Sequence, residues 1–164
     1  MKNRRLLLMR HAKSDWGDRD VADHDRSLNR RGIRDAPRMA AWIGQLGDLP
    51  DRILCSSAVR TCETSRLLGE AWNAAVPVVS TDSLYLASPE TILNVIRQDH
   101  GDAETLLVIG HNPGMGSLVS GLAGQIIDMP TAAIAAFEIA GDTWETFPQS
   151  ESIRLIDTAR PKAL

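Results

Sequence analysis

Four basic side chains stand where apolar runs of the chain end. They are Arg10 and His11 in LLLMRHAKSDW (residues 6–16), Arg60 in SSAVRT (56–61) just after DRILC, and His111 in VIGHNP (108–113). Two guanidiniums and two imidazoles make an anion site, and the planar forks of arginine match the oxygens of a phosphate bidentately. A neutral imidazole, with an ordinary pKa of about 6.5, can attack phosphorus and carry it as a phosphohistidine that water later hydrolyses. On this reading His11 is the nucleophile. Arg10, Arg60 and His111 then bear on the equatorial phosphoryl oxygens, where charge spreads in the transition state. The scheme needs no metal and no organic cofactor. Each motif is weak alone: an Arg-His pair can simply end a strand in solvent, and His111 could be a loop residue bonded to a carbonyl. Arg60 falls in a first helical turn, where a cation opposes the helix dipole, a cost that a bound anion offsets.

These residues act together only if the fold gathers them. RLLLM (5–9) has the pattern of a strand buried on both faces. Residues 12–28 are polar, with five aspartates, and read as a long functional loop. A helix starts at Asn29, with Ile33, Ala36, Ala40 and Ile43 along one face; Pro37 kinks it or delays its start, and Gly47 to Pro50 ends it. Strands are expected at 51–55 and 76–79, separated by a helix that Ser56 or Ser57 caps and that runs to about Trp72. Ser88-Pro89-Glu90 opens a helix over 89–98, TLLVIG (105–110) is the clearest strand, and Asn112-Pro113 opens a helix to about Leu122. AAIAAFEI (132–139) and SIRLID (152–157) close the chain as antiparallel edge strands. Strands alternating with helices imply an α/β three-layer sandwich, one domain over 1–164, with a mostly parallel central sheet and helices on both faces. Ligands of such sheets bind beyond the carboxyl ends of the strands, where the four basic residues would converge.

With 164 residues, 43% hydrophobic and 24% charged, the chain is long enough for one sizeable core. A net charge of −3 gives no bulk field for polynucleotides, and no window reaches the ~20 apolar residues of a membrane span. We therefore expect neither a nucleic-acid nor a membrane partner, and a monomer. MKNRRLLLM is charged like the start of an export signal, but its apolar run is too short. Cys55 and Cys62 suit neither a disulfide framework nor a zinc site, which fits a reducing cytoplasm. Rival motifs fail on spacing. The interval from Cys55 to Arg60 is one residue short for a cysteine phosphatase loop, and GHNPGMGS lacks the lysine of a nucleotide phosphate loop. Asp15, Asp18, Asp20, Asp23 and Asp25 lack the glycine and glutamate of a calcium loop. His24 and His100 read as bystanders, RSLNRRGIR (26–34) as a solvated helix start, and Trp42 and Trp72 as packing residues.

Arg10-His11 after the first strand, the Ser56 to Thr61 stretch after the second, and VIGHNP together resemble the histidine phosphatase superfamily. LMRHAKSDW with DRSLNRRG is similar to its small SixA-type phosphohistidine phosphatase branch, and the likeness runs from residue 6 to the final strand. It implies a phosphoglycerate mutase-like fold, with His11 as nucleophile, Arg10 and Arg60 as phosphate ligands and His111 as second pocket histidine. Ser14 and Asn112 stand where the family has further pocket residues. Larger members have glycine after the first histidine and a glutamate acid after the third strand; here Ala12 and TDSLYLASPE occupy those places. Asp82, Asp15 or Glu90 could serve as the acid. Alternatively none is required, because the nitrogen of a phosphohistidine leaves more readily than an alkoxide. That favours phosphohistidine on a partner protein over a small phosphate ester, the other reading being a non-catalytic phosphohistidine-binding module. Without a capping insertion the pocket should be shallow and open to a protein-borne residue.

Overall fold

In the computed structural model, which describes residues 3–149 and 152–164, strands and helices alternate until the last two strands. The order is β1 (Asn3–Arg10), α1 (Arg30–Gln45), β2 (Arg52–Ser56), α2 (Val59–Trp72), β3 (Val78–Thr81), α3 (Pro89–Asp99), β4 (Thr105–Gly110), α4 (Gly114–Ala123), β5 (Ile134–Ala140) and β6 (Ser152–Ala159). The strands form one sheet in the order β3-β2-β4-β1-β5-β6, parallel from β3 to β1, with β5 antiparallel to both its neighbours. The connections β1 to β2 and β2 to β3 step toward the same edge, so right-handed crossovers place α1 and α2 on one face. The step from β3 to β4 reverses direction and sends α3, followed by α4, to the other face.

Alternate side chains of the central strands feed the two layers. Leu7, Ile53, Leu107 and Ile109 pack with Met39, Ile43 and Leu68, while Leu6, Leu8, Leu54 and Val108 pack with Ile92, Ile96, Met115 and Val119. All six residues of β4 are buried, which is why TLLVIG reads as an unbroken apolar run. Truncating Leu107, with no exposed surface, to alanine costs about 2–5 kcal/mol.

Several local expectations shift. Ile33 is exposed and Met39 takes its place on the buried face of α1. That helix starts at Arg30 and runs through Pro37; the carbonyl left without a donor is that of Ile33, on the solvent side. The third strand sits two residues later than expected. Neither Ser56 nor Ser57 caps α2: Ala58 is the N-cap residue, and the Ser56 hydroxyl accepts from the Ala58 amide. Likewise Pro113, not Asn112, is the N-cap of α4, while Asn112 Oδ1 accepts from Gly116 N at 3.0 Å.

The reversal between β4 and β1 is what positions a site. The chain leaves these adjacent strands toward opposite faces, which opens a crevice at their carboxyl ends. Gly32, in the first turn of α1, lets that helix seat on the exit of β1: a Cβ there would lie 2.3 Å from the carbonyl oxygen of Lys13.

Candidate active site

Strand register brings the site together. Arg10 pairs with Gly110 across β1 and β4, and Cys55 with Ile109 across β2 and β4. One step beyond, His11, His111 and Ser56 therefore emerge side by side. The imidazole centroids of His11 and His111 lie 5.2 Å apart, and His111 Nε2 is 2.8 Å from Ser56 Oγ. The first turn of α2 delivers Arg60 between the rings, with Nε 3.3 Å from His11 Nε2 and Nη2 3.2 Å from His111 Nδ1.

These contacts assign the protons. His11 Nδ1 is 2.7 Å from the Ala12 carbonyl and must donate to it, leaving Nε2 with a lone pair toward Arg60. In His111 the roles are reversed: Nδ1 accepts from Arg60, and Nε2 donates to Ser56. Both rings are thus neutral. Burial is the main cause, since desolvation pushes the His11 pKa down to about 3 and that of His111 to about 4, with the nearby positive charges acting in the same direction. A neutral imidazole with one bare nitrogen in a cationic pocket is a nucleophile held ready for an electron-poor centre.

The surrounding cavity, about 400 Å³, is lined by Arg10, His11, Arg60 and His111 together with Lys13, Ser14, Trp16, Asp23, Leu86, Asn112 and Thr131. All four basic residues singled out in the sequence share it. Arg10 donates through Nη1 to Met129 O at 3.3 Å, and its buried Nε has no hydrogen-bond partner among the described residues. Burial lowers the pKa of this guanidinium, opposed by the charge of Asp128; an arginine remains cationic all the same. Ser14 is buried and bridges to Leu28. Asn112 Nδ2 donates to Met129 O at 2.8 Å, so its amide joins the loop before β5 to the start of α4.

The candidate acids Asp82, Asp15 and Glu90 do not line the cavity. Asp82 accepts from the Ser57 hydroxyl, Asp15 caps the Gly17 amide on the exposed loop, and Glu90 pairs with Arg97 on the outside of α3. The carboxylate that does line it is Asp23, which sequence reasoning missed among five loop aspartates. Asp23 Oδ2 accepts from the Tyr85 hydroxyl and, at 3.1 Å, from Arg60 Nη2, while its carbonyl accepts from Arg60 Nη1 at 2.7 Å. The Tyr85 hydrogen bond first, and Arg60 next, hold this carboxyl below its usual range. Tyr85, the single tyrosine of the chain, also sets its ring edge-on to His111 at 5.4 Å and to His24 at 4.9 Å. His24, expected to be a bystander, reaches Ser57 Oγ at 2.9 Å. Only the lone tyrosine could have marked this corner beforehand.

Among the described residues no cluster of three or more His, Cys, Asp or Glu side chains could hold a metal ion, and no helix is long and apolar enough to cross a membrane. Residues 6–85 match the family model of the histidine phosphatase superfamily (branch 1). A chloroplastic protein of Arabidopsis thaliana is 35% identical over 152 residues, 87% of this chain and 70% of that one. A protein from Nakamurella multipartitia, assigned as the phosphohistidine phosphatase SixA, superposes with a TM-score of 0.86 at 26% identity over 98% of both chains. A second protein with the same assignment, from Agrobacterium tumefaciens, gives 0.81 at 28% identity over 96% of this chain and 98% of its own.

Proposed function

Because the chain belongs to the histidine phosphatase superfamily, in its SixA-type branch, we propose that it dephosphorylates phosphohistidine on a partner protein in the cytoplasm. His11 Nε2 attacks phosphorus in line with the departing imidazole nitrogen, forming a phosphoryl-His11 intermediate that water then hydrolyses. Arg60 turns its fork from the imidazoles to the equatorial oxygens, joined by Arg10 through its Nε, which has no partner among the described residues. The incoming dianion raises the pKa of both rings, so His111 takes up a proton and donates it in a hydrogen bond to a phosphoryl oxygen. No step draws on a metal ion.

The observation that carries the choice of substrate is the state of Asp23. Among the described residues Asp23 is the one carboxylate lining the cavity, and Tyr85 and Arg60 hold it ionised, so it is poorly suited to protonate an alkoxide. A phosphoramidate, whose imidazole leaves with less help, matches such a pocket better than a phosphate monoester does. The open rim, where Trp16 is 61% and Leu86 55% exposed, likewise suits a residue presented by another protein.

The deciding experiment compares rates on a phosphohistidine-bearing protein with those on a panel of small phosphate esters, for the wild type and His11→Ala. The proposal requires faster turnover of phosphohistidine and its near-complete loss in the variant. A preference for esters would reassign the substrate. Unchanged affinity for the phosphoprotein, with no turnover even in the wild type, would make the protein a binding module.

A further inference from the structure

The two cysteines sit on either side of the loop that delivers Arg60. Cys55 is the penultimate residue of β2, clamped between β3 and β4, and Cys62 lies in the first turn of α2, two residues after the arginine. Their sulfurs are 3.9 Å apart, and both thiols point at the same acceptor, the Ser56 carbonyl, at 3.1 Å from Cys55 and 3.5 Å from Cys62. Thr61 Oγ1 donates to that carbonyl as well, at 2.7 Å. Cys62 is half-buried and also contacts Ser80 Oγ at 3.7 Å on the exposed side. A cavity of about 600 Å³, lined by both cysteines, lies between α2 and the edge strand β3. This cavity lies on the far side of β2 from the phosphate pocket and has no part in the proposed reaction.

We propose that Cys55 and Cys62 are an oxidisable dithiol, which hydrogen peroxide converts to a disulfide that displaces Arg60 and switches the phosphate pocket off. The reachable Cys62 reacts first: its sulfur takes the hydroxyl of the peroxide, releasing one water and leaving a sulfenic acid. The Cys55 sulfur then attacks the sulfenic sulfur, and the Cys55 proton leaves with the hydroxyl as a second water. Two thiols and one peroxide thus give one disulfide and two waters. Burial pushes the Cys55 thiol pKa up and keeps it from being the first to react; its part in the second step follows from the 3.9 Å contact that sets it against the sulfenic sulfur.

The sulfurs must approach from 3.9 Å to about 2.05 Å. Ladder bonds on both sides hold Cys55 in place, so the first turn of α2 is what yields. That turn also carries the guanidinium whose 3.3 Å and 3.2 Å contacts organise His11 and His111, and bonds of that length are lost within a few tenths of an ångström. The Ser56 carbonyl loses two donors at the same moment, which loosens the loop further.

The inference rests on Arg60 being a phosphate ligand, so the test has one readout that depends on this and one that does not. Reduced protein is treated with hydrogen peroxide and followed by intact mass, by calorimetric titration with inorganic phosphate, and by the NMR ring signals of His11 and His111. Loss of two hydrogens is expected, with phosphate affinity falling about tenfold or more, as for a lost charge-assisted hydrogen bond. The ring signals should move, and dithiothreitol should restore all three. Cys62→Ser should bind phosphate as the reduced wild type does and show none of these changes. Oxygen addition without loss of hydrogens, still ring signals after the disulfide forms, or an equal response in Cys62→Ser would each overturn the switch. If reduced protein binds no phosphate, the phosphate-site reading fails by itself, and the ring signals still decide whether the disulfide reaches Arg60.

Discussion

Acid should weaken this fold through the two pocket histidines, and His11 gives the size of the effect. In the unfolded chain its pKa is 6.5, and in the folded protein about 3. A folded-state pKa below the unfolded one means that the unfolded chain binds more protons, so stability falls as pH drops below 6.5 and continues to fall until about 3. At pH 5 the penalty from His11 is about 1.5 pH units at 1.36 kcal/mol each, roughly 2 kcal/mol. His111, at about 4, adds a loss of the same sign over the same range. Against the ~5–15 kcal/mol total of an ordinary domain, this is a large fraction. Urea unfolding at pH 8 and pH 5 measures it, provided the slope with denaturant stays constant. His11→Gln keeps an acceptor for Arg60 and removes the titration, so its loss between the two pH values should be smaller than that of the wild type by about 2 kcal/mol. Equal losses in the two proteins would mean that His11 is protonated in the native state at pH 5, and the neutral nucleophile would have to be given up.

Three further outcomes follow from the geometry. His11→Ala should lower kcat by at least about a thousandfold while phosphate affinity changes little, and acid-labile phosphate on the wild type, trapped by rapid quench, should be absent from the variant. Asp23→Asn removes the anion that competes for Arg60; phosphate should bind up to about fivefold more tightly, the scale of a partly exposed ion pair, with kcat on phosphohistidine changed less than tenfold. A hundredfold loss of kcat, with the alkaline limb of the pH profile abolished, would instead make Asp23 the acid. Gly32→Ala should destabilise the protein by about 2 kcal/mol or more, because its Cβ would meet the Lys13 carbonyl oxygen at 2.3 Å; an unchanged denaturation midpoint would show that α1 does not depend on this close approach.

The architecture was legible because its signals are strong: buried parallel strands make unbroken apolar runs, and Ser88-Pro89 opens α3 with the Ser88 hydroxyl capping Thr91 N as read. What failed was capping at the two helices that face the pocket. Ser56 and Asn112 look like N-caps, yet one hydroxyl is engaged by His111 and the amide of the other reaches Met129 O. Each keeps one local amide, Ala58 N on Ser56 Oγ and Gly116 N on Asn112 Oδ1, while the tertiary partner takes its other hydrogen-bonding capacity and the helix start moves one or two residues on. Asp23 was missed for a related reason. Five aspartates in one loop are equivalent in sequence, and only the turn at Asp23–Asp25 and a tyrosine sixty-two residues away distinguish one of them.

The division of labour between the arginines follows from their occupancy. Arg60 is engaged by His11, His111 and Asp23 at once, so a phosphoryl group gains its help only by displacing contacts already made. Arg10 Nε makes no hydrogen bond to the described residues, so it can turn to a phosphoryl oxygen without giving up a contact. Arg10 therefore supplies net attraction for the incoming anion. Arg60 instead exchanges one set of partners for another, and so orients as well as binds: as its fork turns toward phosphate, the lone pair of His11 Nε2 is released at the moment the phosphorus atom comes within reach. Binding and activation of the nucleophile are then the same movement, and a device acting on Arg60 would control both.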